Sequence, residues 1–144
     1  MIGMMKYNLG IDLGGTNIKV GVVDENFQIV AKANLKTNLP KPDAEIADDI
    51  ATACRLAVRE AGITLDDVNS IGIGTPGVAD RNSGIVLYSC NLGFENTNLR
   101  GLLENRLGKS IYIENDANAA AYGEAIAGAA KGYQNVVVIT LGTG

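Results

Sequence analysis

Two runs of alternating apolar residues, one on each side of a glycine pair, constrain the fold of this chain most strongly. Every second residue is apolar over residues 7–13 and again over residues 18–22, which is the period of a β-strand with one buried face. The Gly14–Gly15 pair between them allows a turn tight enough to return the chain onto the first strand. A polar turn at residues 24–26 precedes a third apolar segment at residues 27–31. The sequence therefore predicts an antiparallel meander of three strands.

Helices and strands alternate after this meander. The predicted elements are a helix over 43–61, a strand over 68–74, a shorter strand near 85–87, a helix over 99–107, a strand over 111–113, an alanine-rich helix over 116–130 and a final strand over 135–141. Gly62 and Gly108 end the first two helices. This order predicts an α/β fold with a mixed sheet flanked by helices, as in one half of an actin-like or ribonuclease-H-like ATPase.

Composition argues against several functional classes. The 144 residues include 12 basic and 16 acidic side chains, for a net charge of −4, and no basic run, so we expect no nucleic-acid binding. The apolar runs are too short to span a membrane, and Asp12 interrupts the first one, so we expect a cytoplasmic protein without membrane contact. There is no histidine, and the two cysteines, Cys54 and Cys90, lie far apart. A usual zinc site or histidine-based triad is therefore not expected.

A phosphate site is predicted where the first strand turns into the second, at "DLGGTNIK". Gly14 and Gly15 leave backbone N–H groups accessible to phosphate oxygens. Thr16 adds a hydroxyl, Lys19 adds a cation, and Asp12 adds a carboxylate able to hold Mg²⁺ through its water shell. A plain glycine hairpin with solvated charges is the alternative, but this combination of residue types favours phosphate binding.

A second candidate site lies at "IYIENDANAAAYGE". Glu114, Asn115 and Asp116 follow the predicted strand 111–113, and in open α/β sheets ligands bind at the carboxyl ends of strands. Asp116 is also a favoured helix N-cap, and capping alone would explain an isolated aspartate. The carboxamide of Asn115, which suits hydroxyl recognition, and the phosphate loop expected on the same sheet favour a functional role.

Four segments in this order resemble the ROK family (repressors, open reading frames and sugar kinases), and in particular its bacterial glucokinase branch. They are "IDLGGTNIKVGVVD", "IGIGTPGVADRNSGIVLYSCNLGFENTNL", "IYIENDANAAAYGEAIAGAAKG" and "VVVITLGTG". The resemblance implies ATP-dependent phosphorylation of a hexose, with glucose as the leading candidate, in a cleft between two actin-like halves. ATP and Mg²⁺ are the cofactors that it implies.

The resemblance also implies a role for each candidate residue. Asp116 matches the catalytic base, which takes the proton of the attacking sugar hydroxyl. The positions that match sugar contacts are Gly77, Asn91, Asn115 and Asp116. The first phosphate motif comprises Asp12, Gly14, Gly15, Thr16 and Lys19, with Asp12 holding Mg²⁺ through water, and a second motif begins with Gly142, Thr143 and Gly144.

The same resemblance divides the chain at Gly132. Residues 1–132 match an N-terminal actin-like domain, and residues 133–144 match the first strand and loop of a C-terminal domain. The zinc motif of that second domain has no counterpart in this sequence, so we expect no zinc here and no turnover by this chain alone. The uncharged strand 136–141 has high β-propensity, and we expect homo-oligomers joined through it.

Two other functions stay open. The chain could be the sugar-sensing module of a ROK repressor, although only residues 1–6 precede the strand that carries the phosphate motif, where such repressors carry a helix-turn-helix. It could also be half of a general actin-like ATPase, which would leave the "ENDANAA" segment unexplained.

Overall fold

The computed structural model describes residues 7–120 and Gly132. Residues 7–120 include two sheets, two complete α-helices and a 3₁₀ helix at Leu65–Asp67. The elements are β1 (Tyr7–Leu13), β2 (Asn17–Val23), β3 (Ile29–Lys36), α1 (Asp43–Glu60), β4 (Val68–Thr75), β5 (Val78–Asp80), β6 (Ile85–Ser89), β7 (Phe94–Thr97), α2 (Leu99–Leu107) and β8 (Ser110–Asn115). A further helix begins at Asp116 and is described as far as Ala120. No helix in this part of the chain is both long and apolar enough to cross a membrane.

Five strands form the main sheet in the order β3-β2-β1-β4-β8. β2 runs antiparallel to both β1 and β3, because short turns join these strands, whereas β4 is parallel to β1 and β8 is parallel to β4. Parallel neighbours need a longer crossover, and α1 and α2 lie in the two crossovers. The predicted mixed α/β sheet is confirmed. Its parallel strands bring their carboxyl ends to one edge.

The core lies between the main sheet and its two helices. Alternation along the strands places one apolar set on the helix side, including Leu13, Ile18 and Ile73, all at most 2% exposed. The predicted apolar stripe of α1 is confirmed by the burial of Ile46, Ile50, Cys54, Ala57 and Val58. α2 covers the same residues as its prediction; the Asn98 side chain caps its start and Gly108, at φ 64°, ends it.

Two strand predictions were wrong. Phe27 belongs to a turn and not to β3, since it has φ 61° and the Oδ1 of Asp24 accepts the N–H groups of Asn26 and Gln28. β3 starts two residues later and continues to Lys36. The sequence analysis also predicted only β6 of the second sheet, whose order is β5-β6-β7. β5 and β7 span 3 and 4 residues, too few to show an alternation.

Arg100 of α2 joins the second sheet to the main one. Its guanidinium donates to the carbonyl oxygens of Arg81 at 2.7 Å and Asn82 at 2.8 Å, in the turn between β5 and β6. It also donates to the carbonyl oxygen of Ile111 in β8 at 3.0 Å. These bonds set the position of the β5–β6 turn beside the end of β8.

Several predictions fall outside the described residues. They are the helix beyond Ala120, the strand over 135–141 with its expected self-association through 136–141, and the second phosphate motif at Gly142, Thr143 and Gly144. The proposed division of the chain at Gly132 is also not tested, although Gly132 itself lies in a turn with φ 91°.

Candidate functional site

One row of paired residues crosses the main sheet near the carboxyl ends of β1, β4 and β8. Asp12 of β1 is paired with Lys19 of β2 on one side and with Gly74 of β4 on the other. Gly74 is in turn paired with Glu114 of β8. Asp12 and Lys19 are exposed, whereas their neighbour Leu13 is buried. Because side chains alternate between the two faces of a strand, this row projects away from the core.

The glycine loop after β1 is held by a small set of hydrogen bonds. The Gly14 N–H donates to the carbonyl oxygen of Asn17 at 2.9 Å, and the Thr37 N–H donates to the carbonyl oxygen of Thr16 at 2.9 Å. The Thr37 hydroxyl donates to the carbonyl oxygen of Gly14 at 2.8 Å. Sequence reasoning missed Thr37, because a single threonine after a strand has no distinguishing pattern.

Asn91 lies directly against this loop. It is exposed, in the turn between β6 and β7, and a Cβ added to Gly15 would lie 3.5 Å from the Asn91 Cβ. The structure therefore brings together a residue predicted to contact phosphate and one predicted to contact sugar, although Gly15 and Asn91 are 76 positions apart in the sequence. A larger side chain at Gly15 would have to share this space.

The turn at Gly77 requires glycine. Its φ is 92°, a left-handed conformation, and an added Cβ would collide with the carbonyl oxygen of Tyr88 and lie 2.9 Å from the Cα of Ser89. The carbonyl oxygen of Gly77 accepts a hydrogen bond from the Asn115 Nδ2 at 2.9 Å. The predicted sugar-contacting turn and the predicted sugar-contacting amide are therefore in direct contact.

Asn115, and not Asp116, provides the helix cap. The Asn115 Oδ1 accepts the backbone N–H groups of Ala117 at 3.0 Å and Asn118 at 3.3 Å, as an N-cap side chain does. One carboxamide thus joins the end of β8, the start of the helix and the Gly77 turn. The sequence analysis assigned the capping option to Asp116, one residue too late, because the strand continues through Asn115.

Asp116 is the first residue of the helix and its carboxylate is exposed to solvent. Its Oδ1 accepts the N–H of Ala117 at 2.8 Å. A Cβ added to Gly74 would lie 3.3 Å from the Asp116 Cα and 3.4 Å from the Ala119 Cβ. Gly74 therefore lets the start of the helix approach β4 closely, and the same glycine is the strand partner of Asp12. The two carboxylates consequently belong to one edge of the sheet.

Glu114 is a further charged group at this edge to which the sequence analysis gave no role. Its Oε1 accepts the Asn115 N–H at 2.9 Å and the Asn118 Nδ2 at 3.2 Å. Its Oε2 lies 3.6 Å from a guanidinium nitrogen of Arg81, the more exposed partner of this ion pair. Such an exposed pair adds little stability, so we interpret Glu114 chiefly as an acceptor for the strand-to-helix junction.

A crevice of about 1000 Å³ extends over this face of the sheet, and Asp12, Lys19, Gly74, Glu114 and Ala119 contribute to its walls. In the described part of the chain, no group of three or more histidine, cysteine or acidic side chains could enclose a metal ion. A single exposed carboxylate such as Asp12 fits Mg²⁺, which keeps several waters and takes only one or two protein carboxylates.

Comparison with known proteins identifies relatives that match nearly all of this sequence. A model of the ROK family matches residues 8–144. The glucokinase of Streptomyces coelicolor is 38% identical over 140 residues, which cover 97% of this chain and 42% of that protein. The xylose repressor of Bacillus spizizenii is 30% identical over 142 residues, which cover 96% of this chain and 35% of that protein. The chain thus spans less than half the length of these relatives.

Solved structures agree with the sequence relatives. The crystal structure of the ROK hexokinase from Thermus thermophilus matches with a TM-score of 0.77 and 37% identity, over 88% of this chain and 40% of that one. A ROK family glucokinase from Streptomyces griseus in complex with glucose and AMPPNP matches with a TM-score of 0.72 and 38% identity, over 88% of this chain and 38% of that one. The predicted actin-like α/β fold is confirmed. Since the family model extends over nearly the whole sequence and these structures share its fold, the chain belongs to the ROK family.

Proposed function

We propose that this chain provides the sugar-acceptor site and the first phosphate loop of a cytoplasmic, ATP-dependent hexose kinase, with glucose as its leading substrate. Its similarity to glucokinases supports the activity. The observation that carries the proposal is the position of Gly74, which is paired with Asp12 and lies against Asp116. The Asp12 carboxylate acts on the phosphate side, and the Asp116 carboxylate acts on the hydroxyl group of the sugar acceptor.

Asp116 acts as the general base in this mechanism. As the hexose hydroxyl oxygen forms its bond to the terminal phosphorus of ATP, the bond from that phosphorus to the bridging oxygen breaks and ADP leaves. The hydroxyl proton passes to the Asp116 carboxylate. Because the carboxylate lies at a helix start and is exposed to solvent at the sheet edge, a hydroxyl can reach it there.

The loop after β1 holds the phosphate chain. The Gly14 N–H is used within the loop by its bond to Asn17, so the backbone N–H groups of Gly15 and Thr16 provide the donors, and Lys19 adds a positive charge. Asp12 would hold Mg²⁺ through its water shell, and this ion neutralises phosphate charge during transfer.

The sugar side is built from Asn91, the Gly77 turn and Asn115. Asn91 lies against Gly15, so a hexose bound there is brought close to the phosphate loop. Asn115 uses its Oδ1 for the helix cap and one Nδ2 hydrogen for Gly77. Its second Nδ2 hydrogen is left to donate to a sugar hydroxyl. Fixing both reactants in this way supplies much of the rate acceleration in phosphoryl transfer.

Exchange of Asp116 for asparagine, in the protein expressed from its complete reading frame, tests this function. We expect Asp116→Asn to lower kcat by about 10²–10⁴ while the KM for the hexose stays within about twofold, since the amide keeps the shape of the side chain. Asp43→Asn is the matched control, because Asp43 also opens a helix and its Oδ1 accepts the next N–H, at 2.7 Å. Near-normal turnover by Asp116→Asn would remove it from the role of base.

A sugar-sensing module is the second candidate function, and the similarity to the xylose repressor favours it. Such a module binds its sugar without turnover. Calorimetric titration with glucose beside a coupled assay for ADP release separates the two functions. Saturable glucose binding with no ADP release in the presence of MgATP would select the sensor.

A further inference from the structure

Thr37 contacts the phosphate loop from the interior of the protein. It follows β3 and is fully buried. Its hydroxyl donates to the Gly14 carbonyl oxygen at 2.8 Å, and its N–H donates to the Thr16 carbonyl oxygen at 2.9 Å. A buried hydroxyl without a partner is costly, so the bond to Gly14 is what makes a polar side chain acceptable at this position.

These two bonds set the direction of two peptide groups. In a trans peptide the C=O and the N–H point in opposite directions. The carbonyl groups of Gly14 and Thr16 are turned towards the buried Thr37, so the N–H groups of Gly15 and Asn17 point away from it. An anion approaching the loop from outside therefore meets N–H groups, which attract it.

The glycines make this restraint necessary. Gly14 and Gly15 have no Cβ, so the peptide between them can adopt orientations that other residues avoid. If that peptide rotated by half a turn, the partial negative charge of the Gly14 carbonyl would face the phosphate and repel it. The Thr37 hydroxyl is bonded to the carbonyl that would have to move.

We propose that Thr37 is a positioning residue for nucleotide binding, whose hydroxyl holds the Gly14–Gly15 peptide with its N–H directed to the phosphate chain. It acts through the loop and does not itself contact the substrate. This inference rests on the proposed kinase function, but it concerns only the binding of the phosphate chain. Loss of the hydroxyl should weaken the phosphate side of the site and leave the sugar side, which is built from other elements, unchanged.

Three variants of the protein expressed from its complete reading frame test the role in catalysis. Thr37→Val keeps the shape of the side chain and removes the hydroxyl, Thr37→Ser keeps the hydroxyl, and Thr97→Val is the control, a buried threonine on β7 of the second sheet. We expect Thr37→Val to raise the KM for ATP about tenfold, in line with the loss of one hydrogen bond. The KM for the hexose should stay within about twofold.

Rescue decides between a positioning role and a packing role. Thr37→Ser should return the KM for ATP to within about threefold of the wild-type value, and Thr97→Val should not change it. An unchanged KM for ATP in Thr37→Val, or an equal rise in both KM values, would overturn the proposal.

Titration with inorganic pyrophosphate, followed by the ¹⁵N–¹H resonance of the Gly15 amide, tests the same inference without turnover. The wild-type chain should show a saturable shift, and Thr37→Val should bind about tenfold more weakly. Equal affinity in the two proteins, or a Gly15 resonance that does not respond in the wild type, would refute the role of Thr37. If the wild type phosphorylates no hexose, the proposed function fails, and this titration still decides the inference.

Discussion

The Gly77 turn offers a direct measurement of how much a backbone clash costs at the candidate sugar site. In Gly77→Ala, the added methyl group must occupy a position that overlaps the Tyr88 carbonyl oxygen and lies 2.9 Å from the Ser89 Cα. These are backbone atoms of β6, so no flexible side chain can move aside. The turn itself must shift, and with it the Gly77 carbonyl that Asn115 binds at 2.9 Å.

Gly108→Ala provides the matched control. Gly108 also has a left-handed backbone, with φ 64°, but no heavy atom of the described residues lies within 4 Å of an added Cβ there. Its substitution therefore costs only the backbone conformation, about 1–2 kcal/mol. Gly77→Ala adds a packing clash of about 1–3 kcal/mol, for a total loss of about 2–5 kcal/mol.

Urea unfolding of the two variants and the wild type gives these differences by linear extrapolation, provided the slopes agree. We expect Gly77→Ala to lose at least about 1 kcal/mol more than Gly108→Ala. Equal losses would mean that the turn relaxes without strain, and the argument that the Tyr88 carbonyl restricts this position would be wrong.

Three further measurements test other parts of the structure. Burial raises the pKa of the Cys54 thiol to about 12, so an alkylating reagent at neutral pH should label exposed Cys90 in the native chain and Cys54 only after unfolding. Asn98→Ala should cost about 0.5–2 kcal/mol of unfolding free energy through loss of the α2 cap, and Asn98→Ser should restore most of it. Leu103→Ala, fully buried in α2, should cost about 2–5 kcal/mol; urea unfolding measures both changes.

The main sheet and its two helices could be predicted from the sequence because their signals are local. Strand alternation over residues 7–13 and the apolar stripe of α1 each depend on residues close together in the chain. The Gly108 signal placed the end of α2 correctly. The β5 and β7 strands gave no such signal, since short strands are stabilised by their partners and by contacts such as those that Arg100 makes to the β5–β6 turn.

In the candidate site, too, the sequence indicated some features and only the structure showed the others. Sequence motifs indicated Asp12, Asn115 and Asp116 as candidate site residues, and their proposed roles are still predictions. The sequence did not indicate that Asn115 caps the helix and also holds the Gly77 turn. Thr37 and Glu114 were given no role at all, because their partners lie in other elements or in backbone atoms that a motif does not show.

Local pattern thus determined the strands of the main sheet, the helices α1 and α2 and the glycine turn, and four motifs in order indicated the family. Only the tertiary structure decided which distant segments meet: Gly15 with Asn91, Gly74 with Asp116, and Thr37 with the loop that it holds. The physical reason is that periodicity and turn chemistry act over a few neighbouring residues, whereas contacts between strand ends depend on the register of the whole sheet.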